Sequence, residues 1–352
     1  MHQAPDLPSG ACPRPPAQCS APVPSLLLAG TGPACARAPP DRRFAGPTRR
    51  VRAASMADDP DPAARPRIGV AIATRERRAP LEAVLTRLLA LPERPSVVVA
   101  DNGSADGTPA AIRARFPHVQ VLELGENRGA GARNAAVPAL GTPYAAFSDD
   151  DSWWAPGALR RAADVLDAHP RLGLLAARIL VGPQEAEDPV CTEMARSPLP
   201  AAPGAAGPAV LGFVACGAVV RREAFEQVGG FDARYGIGGE ETPLALDLAA
   251  AGWELAYVPD IVAHHHPADG GVRPGRRAAM LRNEMWSAWL RRPPRAAARR
   301  TAGLIARNGA RPHTAAGLAQ ALRGAGWVAR ERRVVPDHIE SALRVLERSE
   351  SF

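Results

Sequence analysis

Residues Tyr144–Trp154, YAAFSDDDSWW, run an apolar stretch into three consecutive aspartates, Asp149, Asp150 and Asp151, with Trp153 and Trp154 just after them. Adjacent carboxylates repel, and each loses hydration when a fold closes over it. The cluster therefore reads either as a solvated acidic turn or as the place where a cation, or a ligand that brings one, is held. Magnesium and manganese take such hard oxygen ligands, usually one or two carboxylates completed by phosphate oxygens and water. A second acidic pair, Glu240 and Glu241 in GGEETPLALDL, opens a helical run. Acids there either complement the helix dipole or provide a general base. Three histidines, His264–His266, end an apolar stretch. They cannot all face one ion, because successive strand side chains point to opposite faces. No HExxH pattern or CxxC pair accompanies them, which argues against an independent zinc hydrolase.

These residues need a scaffold, and the chain pattern predicts one. RIGVAIATR is a short apolar strand, and APLEAVLTRLLAL, Ala79–Leu91, has helical spacing. PSVVVADNGS is a second strand, TPAAIRARF a helix, and HVQVLELGENRG holds a third strand. GAGARNAAVPAL is a helix and YAAFSDDD a fourth strand. Nearly continuous apolar strands alternating with helices imply an α/β fold, with a mostly parallel sheet flanked by helices. Ligands bind at the carboxyl ends of such strands, where Thr74, Asp101, Asn127 and Asp149–Asp151 lie. Further along, a strand is expected over Phe213–Arg221, helices near Arg222–Val228 and through Thr242–Ala251, and a strand over ELAYVPDIVAHHH. After Pro274 the chain reads as a helical, arginine-rich extension.

Residues 1–66 are rich in Pro, Ala, Gly and Arg and lack apolar periodicity, so they are expected to be disordered. Met56, opening MADDPDPAARPRIGV, is a candidate true start. The expected domains are this leader, a catalytic domain over 67–272 and the extension over 273–352. All 43 basic residues are arginine and the net charge is +7, but the Ala and Pro excess points to a GC-rich genome. The charge is therefore discounted as a sign of nucleic-acid binding. Residues 273–333 hold fifteen arginines against two acids, which suits either a solvated face or contact with an anionic membrane surface. Five cysteines without a CxxC pair argue against a disulfide framework, and no apolar run approaches a membrane span. The expected location is cytoplasmic, with peripheral contact at the inner membrane face left open.

The blocks VAIATRERRAPLEAVLTRLL, VVVADNGSADGT, LGENRGAGARNAA, AAFSDDDS, RREAFEQVGGFDARYGIGGEET and HHHP occur in the order found in family 2 glycosyltransferases. The chain resembles that family over about residues 67–290. The resemblance implies a Rossmann-type GT-A fold and metal-dependent, inverting transfer of a sugar from a nucleotide diphosphate sugar to a hydroxyl acceptor. Thr74 and Arg75 would line the nucleoside pocket, and Asp101 would accept hydrogen bonds from base and ribose. Asn127, Arg133 and Asn134 would approach the nucleotide. The Arg133 guanidinium suits a diphosphate, or alternatively pairs with a strand-end acid such as Asp149. Asp151 would hold Mn2+ or Mg2+, Asp149 and Asp150 would face ribose and sugar, and His264 would complete the metal site. Glu241 would be the base, with Glu240 in support. Here the chain departs from the family pattern: the second acid of the pair is usually aspartate, and Pro243 and Asp247 stand where the family usually has an acid and an arginine. The expected donors are UDP- or dTDP-sugars, with GDP open, and the acceptor is a cell-surface polysaccharide, a lipid-linked sugar or a natural product. Trp153 is read as an acceptor contact and Trp286 as core. The rival readings are a sugar-nucleotide nucleotidylyltransferase, which lacks the glycines its triphosphate loop would need in ATRERRAPLEAV, and a non-catalytic nucleotide-sugar-binding or scaffold protein.

Overall fold

The computed structural model describes residues 66–267 and 275–349. The expected leader, residues 1–55 and Met56 lie outside the described residues, save for Pro66. The first half alternates strand and helix as the pattern predicts. Its elements are β1 (Ile68–Thr74), α1 (Arg78–Leu89), β2 (Ser96–Asp101), α2 (Thr108–Arg115), β3 (Gln120–Glu123), α3 (Arg133–Leu140) and β4 (Tyr144–Ser148). The four strands pair in parallel, in the order β3-β2-β1-β4. Register sets the rim: Thr74 lies beside Asp101, and Ile72 beside Ser148. The Asp149–Asp151 turn therefore leaves the same edge.

The second half adds antiparallel pairs to this parallel core, so the whole sheet is mixed. It comprises β5 (Ser152–Trp154), α4 (Ala158–Ala168), β6 (Leu172–Val181), β7 (Ala186–Glu187), α5 (Pro189–Ala195), β8 (Ala218–Arg221), α6 (Arg222–Val228), α7 (Glu241–Ala250) and β9 (Glu254–His265). β8 runs antiparallel between β4 and β6, whereas β6 and β9 are parallel. The strand expected over Phe213–Arg221 shortens to β8 because Ala215–Gly217 forms a 3-10 turn packed on β6. A Cβ on Gly217 would sit 2.5 Å from Ile179 Cγ1. On β9 the register with β6 skips between Val258 and Val262, at Pro259, which has no N–H to give the ladder.

Two apolar layers cover the sheet. Val70, Ile72, Leu81, Leu85, Trp154 and Leu159 belong to one. Ala71, Phe147, Phe213, Phe225 and Phe231 belong to the other. Five helices follow: α8 (Arg276–Arg291), α9 (Pro294–Asn308), α10 (Pro312–Arg323), α11 (Ala325–Arg330) and α12 (Asp337–Ser349). α12 is not an appendage, since Ile339, Leu343 and Leu346 join the second layer. Arg292, 5 % exposed, anchors it through Glu340 and Glu347. Trp286 is buried with Tyr235, Leu290 and Val328, as its core reading requires.

Candidate active site

The three aspartates have separate partners. Asp150 accepts from Thr74 Oγ1 at 2.9 Å and from Arg77 Nε at 2.9 Å. A second Arg77 nitrogen donates to Asp151 at 2.8 Å. Asp149 pairs with Arg133, the strand-end pairing that the sequence left open beside a phosphate contact. Arg133 is nearly fully buried and lies 5.7 Å from the rings of both Phe147 and Phe231. Burial pushes Asp150 up to about 6, against the pull of Arg77. Arg77 was missed by sequence reasoning. It stands among four charged residues in RERR, where no local pattern separates one arginine from the others.

At the end of β2, Asp101 is 1 % exposed and accepts from Ser104 N at 2.8 Å and Ser104 Oγ at 2.6 Å. Asn102, which the sequence reading passed over, accepts from Arg128 N at 2.8 Å and donates to Gly129 O at 3.2 Å. Asn127 caps the same turn by accepting from Gly129 N at 3.0 Å. Asn134 bonds to the protein backbone. Its amide donates to Phe231 O at 2.8 Å and accepts from Phe231 N at 2.9 Å, so it staples α3 to the GGF loop. Arg75 is exposed at the rim.

The histidines correct one expectation. β5 and β9 pair Ser152 with His265 and Trp153 with His264. Ser152 faces inward, its Oγ accepting from Asp149 N at 2.7 Å. Alternation then puts His265, not His264, at the acidic cluster: His265 Nε2 lies 3.5 Å from Asp151 Oδ1. Burial opposes a charge on this ring, but contacts with Asp151 and Cys216 outweigh it and push His265 up to about 11. His264 faces the other way, with Nδ1 2.6 Å from Glu185 Oε2 and its ring stacked on Trp153 at 5.3 Å. Trp153 in turn carries Arg87 at 3.9 Å from its ring centre.

Glu240 is buried just ahead of α7 and accepts from Gly238 N. Burial first, and then the charge of Glu241, raises its pKa well above the carboxylate range. Burial likewise raises Glu241, which interacts with the charges of Arg133 and Asp149. One buried arginine thus links the acidic pair to the aspartate cluster. Asp247, where the family usually has an arginine, accepts from Arg291 of α8 at 2.5 and 2.7 Å, so the charge is neutralised from the other side.

The loop that delivers the pair is held from two directions. Gly236, Gly238 and Gly239 all have positive φ, a conformation open to glycine. Ala130 N donates to Gly236 O at 2.9 Å, and a Cβ on Gly129 would come within 2.3 Å of that oxygen. Asn283 of α8, 0 % exposed, donates to Tyr235 O at 2.9 Å and Gly238 O at 2.7 Å. No sequence motif marked Asn283, since its role depends on how α8 docks.

Among the described residues, Asp149, Cys216 and His265 offer ligand atoms that all lie within 4.8 Å of one another. With Asp151 at the His265 ring, the site has the carboxylate and imidazole donors that a divalent cation needs.

Known proteins bear on this geometry. Residues 69–229 match the family model Glycosyl transferase family 2. Over 225 residues the chain is 32% identical to the N-acetylglucosaminyl-diphospho-decaprenol L-rhamnosyltransferase of Mycobacterium tuberculosis (strain ATCC 25618 / H37Rv), covering 53% of this chain and 72% of that protein. Among solved structures, S. aureus TarS 1-349 superposes with a TM-score of 0.51 at 14% identity, over 81% of this chain and 87% of that chain. GalNAc-T7 with UDP, GalNAc and Mn2+ gives 0.50 at 15%, over 75% and 56%. These two share the fold. The chain belongs to glycosyltransferase family 2 and is a glycosyltransferase with a GT-A-like architecture.

Proposed function

We propose that the protein is a metal-dependent inverting glycosyltransferase whose donor is a nucleotide diphosphate sugar and whose acceptor is a hydroxyl on a lipid-linked saccharide. The observation that carries this reading is the placement of two acidic groups, one paired with Arg133 and lying beside His265, the other at the start of α7 with Glu240 buried. One group, at the end of β4, suits cation and phosphate. The other, at the start of α7, holds Glu241, whose pKa burial raises, the direction that strengthens a carboxylate as a general base.

Asp101, at the end of β2, is placed to accept from base and ribose, once Ser104 exchanges its hydrogen bonds for those of the nucleoside. Asp151 and His265 would hold Mn2+ or Mg2+, which when bound supplies Lewis-acid stabilisation of the departing diphosphate. Arg133 exchanges part of its pairing with Asp149 for the incoming phosphates. Glu241 accepts the proton of the acceptor hydroxyl as that oxygen attacks the anomeric carbon from the face opposite the leaving group. Glu240, held near neutral by burial, keeps the pair from carrying two charges.

The lipid-linked acceptor is supported by the rhamnosyltransferase relative, whose name gives a diphospho-decaprenol acceptor, and by the surface of α9–α11. Residues 285–330 contain nine arginines and no acid. Arg299, Arg307 and Arg311 are exposed on this helical region, as are Ile305 (37 %) and Leu322 (66 %). Basic charge around small apolar side chains suits an anionic bilayer surface. No described helix is long and apolar enough to cross a membrane, so the contact would be peripheral.

The test is a comparison of Glu241→Gln with Asp151→Ala. Glu241→Gln is expected to lower transfer by about 10²–10⁴-fold with donor binding retained. Asp151→Ala is expected to lose manganese-dependent donor binding. Equal loss of donor binding in both variants would contradict the assigned roles.

A further inference from the structure

Cys216 has an unusual place for a thiol. It sits in the 3-10 turn Ala215–Gly217 ahead of β8 and is 1 % exposed. The other described cysteine, Cys191, is buried in the same apolar layer, but its sulfur is engaged by the backbone, accepting from Ile179 N at 3.2 Å. Cys216 instead points to the strand ends that carry the site. Its Sγ, a ring nitrogen of His265 and a carboxylate oxygen of Asp149 all lie within 4.8 Å of one another. Three elements converge here: the turn after β4, the turn before β8 and the end of β9.

A carboxylate, an imidazole and a thiol form a mixed hard and soft donor set. Mg2+ and Mn2+ favour oxygen, whereas thiolate draws borderline and soft ions such as Zn2+ and Cd2+. A tetrahedral zinc site, with Zn–S about 2.3 Å and Zn–N about 2.0–2.1 Å, places its ligand atoms roughly 3.3–3.8 Å apart. The widest pair of the cluster, at up to 4.8 Å, needs to close by about 1–1.5 Å to reach that spacing.

We propose that Cys216, together with His265 and Asp149, forms a thiolate-containing cation site that selects a thiophilic divalent ion over Mg2+. The proposal rests on the metal reading of this pocket and narrows it. The same His265 that would serve an oxygen-bound ion beside Asp151 can turn to an ion held by sulfur, so zinc would compete with manganese. Binding replaces the S–H bond with an S–metal bond and also takes the proton from the ligating nitrogen of His265, so both protons leave to solvent, with no change of oxidation state.

The experiment uses the full chain with Cys12, Cys19 and Cys35 replaced by serine, since these thiols would also take up a soft ion. Cd2+ is titrated in the absence of nucleotide, and the ultraviolet thiolate-to-cadmium charge-transfer band is followed. The expected result is a band saturating at one equivalent. It is abolished in Cys216→Ser, kept in Cys191→Ser, and requires about 10–100-fold more Cd2+ in His265→Gln. A large excess of Mg2+ is expected not to displace the ion. Should Cys216→Ser fold poorly, Cys216→Ala provides the same comparison. No band in the parent chain, or a band that survives removal of Cys216, overturns the proposal. Failure of the broader metal reading shows separately, as no manganese-dependent stabilisation by any nucleoside diphosphate.

Discussion

Replacing Asn283 by alanine tests whether the helices after β9 are part of the catalytic unit. Asn283 lies on α8, and its amide donates to Tyr235 O and Gly238 O, the two carbonyls flanking the turn that leads to Glu240. Tyr235 O keeps a second donor, since an Arg282 nitrogen reaches it at 2.9 Å. Among the described residues, Gly238 O accepts from no other side chain. The variant therefore loses one hydrogen bond whose acceptor stays satisfied, about 1 kcal/mol, and orphans one carbonyl, about 1–3 kcal/mol. The expected destabilisation is about 2–4 kcal/mol in urea unfolding. The kinetic signature is more specific: turnover should fall, because Glu240 and Glu241 lose their support, while affinity for the donor nucleotide, proposed to bind near Asp101, should change little. Asn283→Asp is the harsher control, placing a charge where two carbonyls need donors. A destabilisation below about 0.5 kcal/mol, within the range of an ordinary surface substitution, or a loss confined to donor affinity, would refute the reasoning.

Glu240→Gln should stabilise the fold at alkaline pH while lowering activity. Burial raises the folded-state pKa of Glu240, so the folded chain holds a proton that the unfolded chain gives up. Its contribution is full below the unfolded value, about 4.3, and is lost as pH rises through the raised folded value. Glutamine removes that loss, so the variant's melting temperature should exceed the parent's at about pH 9, with the gap closing below about pH 4. Gly129→Ala forces a Cβ against Gly236 O at a positive φ. It should cost about 1–3 kcal/mol and reduce turnover, checked by urea unfolding and nucleotide release. Reversing Arg299, Arg307 and Arg311 to glutamate should weaken co-sedimentation with anionic vesicles at least ~100-fold, at about 1 kcal/mol per residue, and leave binding to neutral vesicles unchanged.

The site was partly legible in the sequence because its main acids end continuous apolar strands. β1, β2 and β4 each run apolar into Thr74, Asp101 and Asp149, so the parallel-sheet rule alone brought those residues to one rim. The reading failed where tertiary register decides. His264 and His265 are indistinguishable in HHHP, and only the three-residue pairing of β5 with β9 sets which one faces inward. Asn134 looked like a nucleotide contact, yet the Phe231 backbone, 97 positions away, takes both its amide atoms. Arg77 and Asn283 carry no periodic or motif signal, because their partners come from other elements. β6 was missed although LGLLAARILV is a plain apolar run. The Pro- and Gly-rich chain after it made the second half read as irregular. The sheet's antiparallel turn at β8 depends on Gly217 packing against Ile179, a contact no local pattern announces.

The central claim is that donor binding belongs to the β4 end and proton abstraction to the α7 start. It is tested most directly by measuring, on the parent chain, Asp151→Ala and Glu241→Gln together, the thermal shift produced by UDP, dTDP and GDP with and without Mn2+, alongside sugar transfer. The account predicts a manganese-dependent shift with one nucleoside diphosphate in the parent chain. That shift should be lost in Asp151→Ala and intact in Glu241→Gln, whose transfer nonetheless falls by at least ~10²-fold. A Glu241→Gln enzyme that transfers at the parent rate, or one that loses the nucleotide shift as fully as Asp151→Ala does, would contradict it.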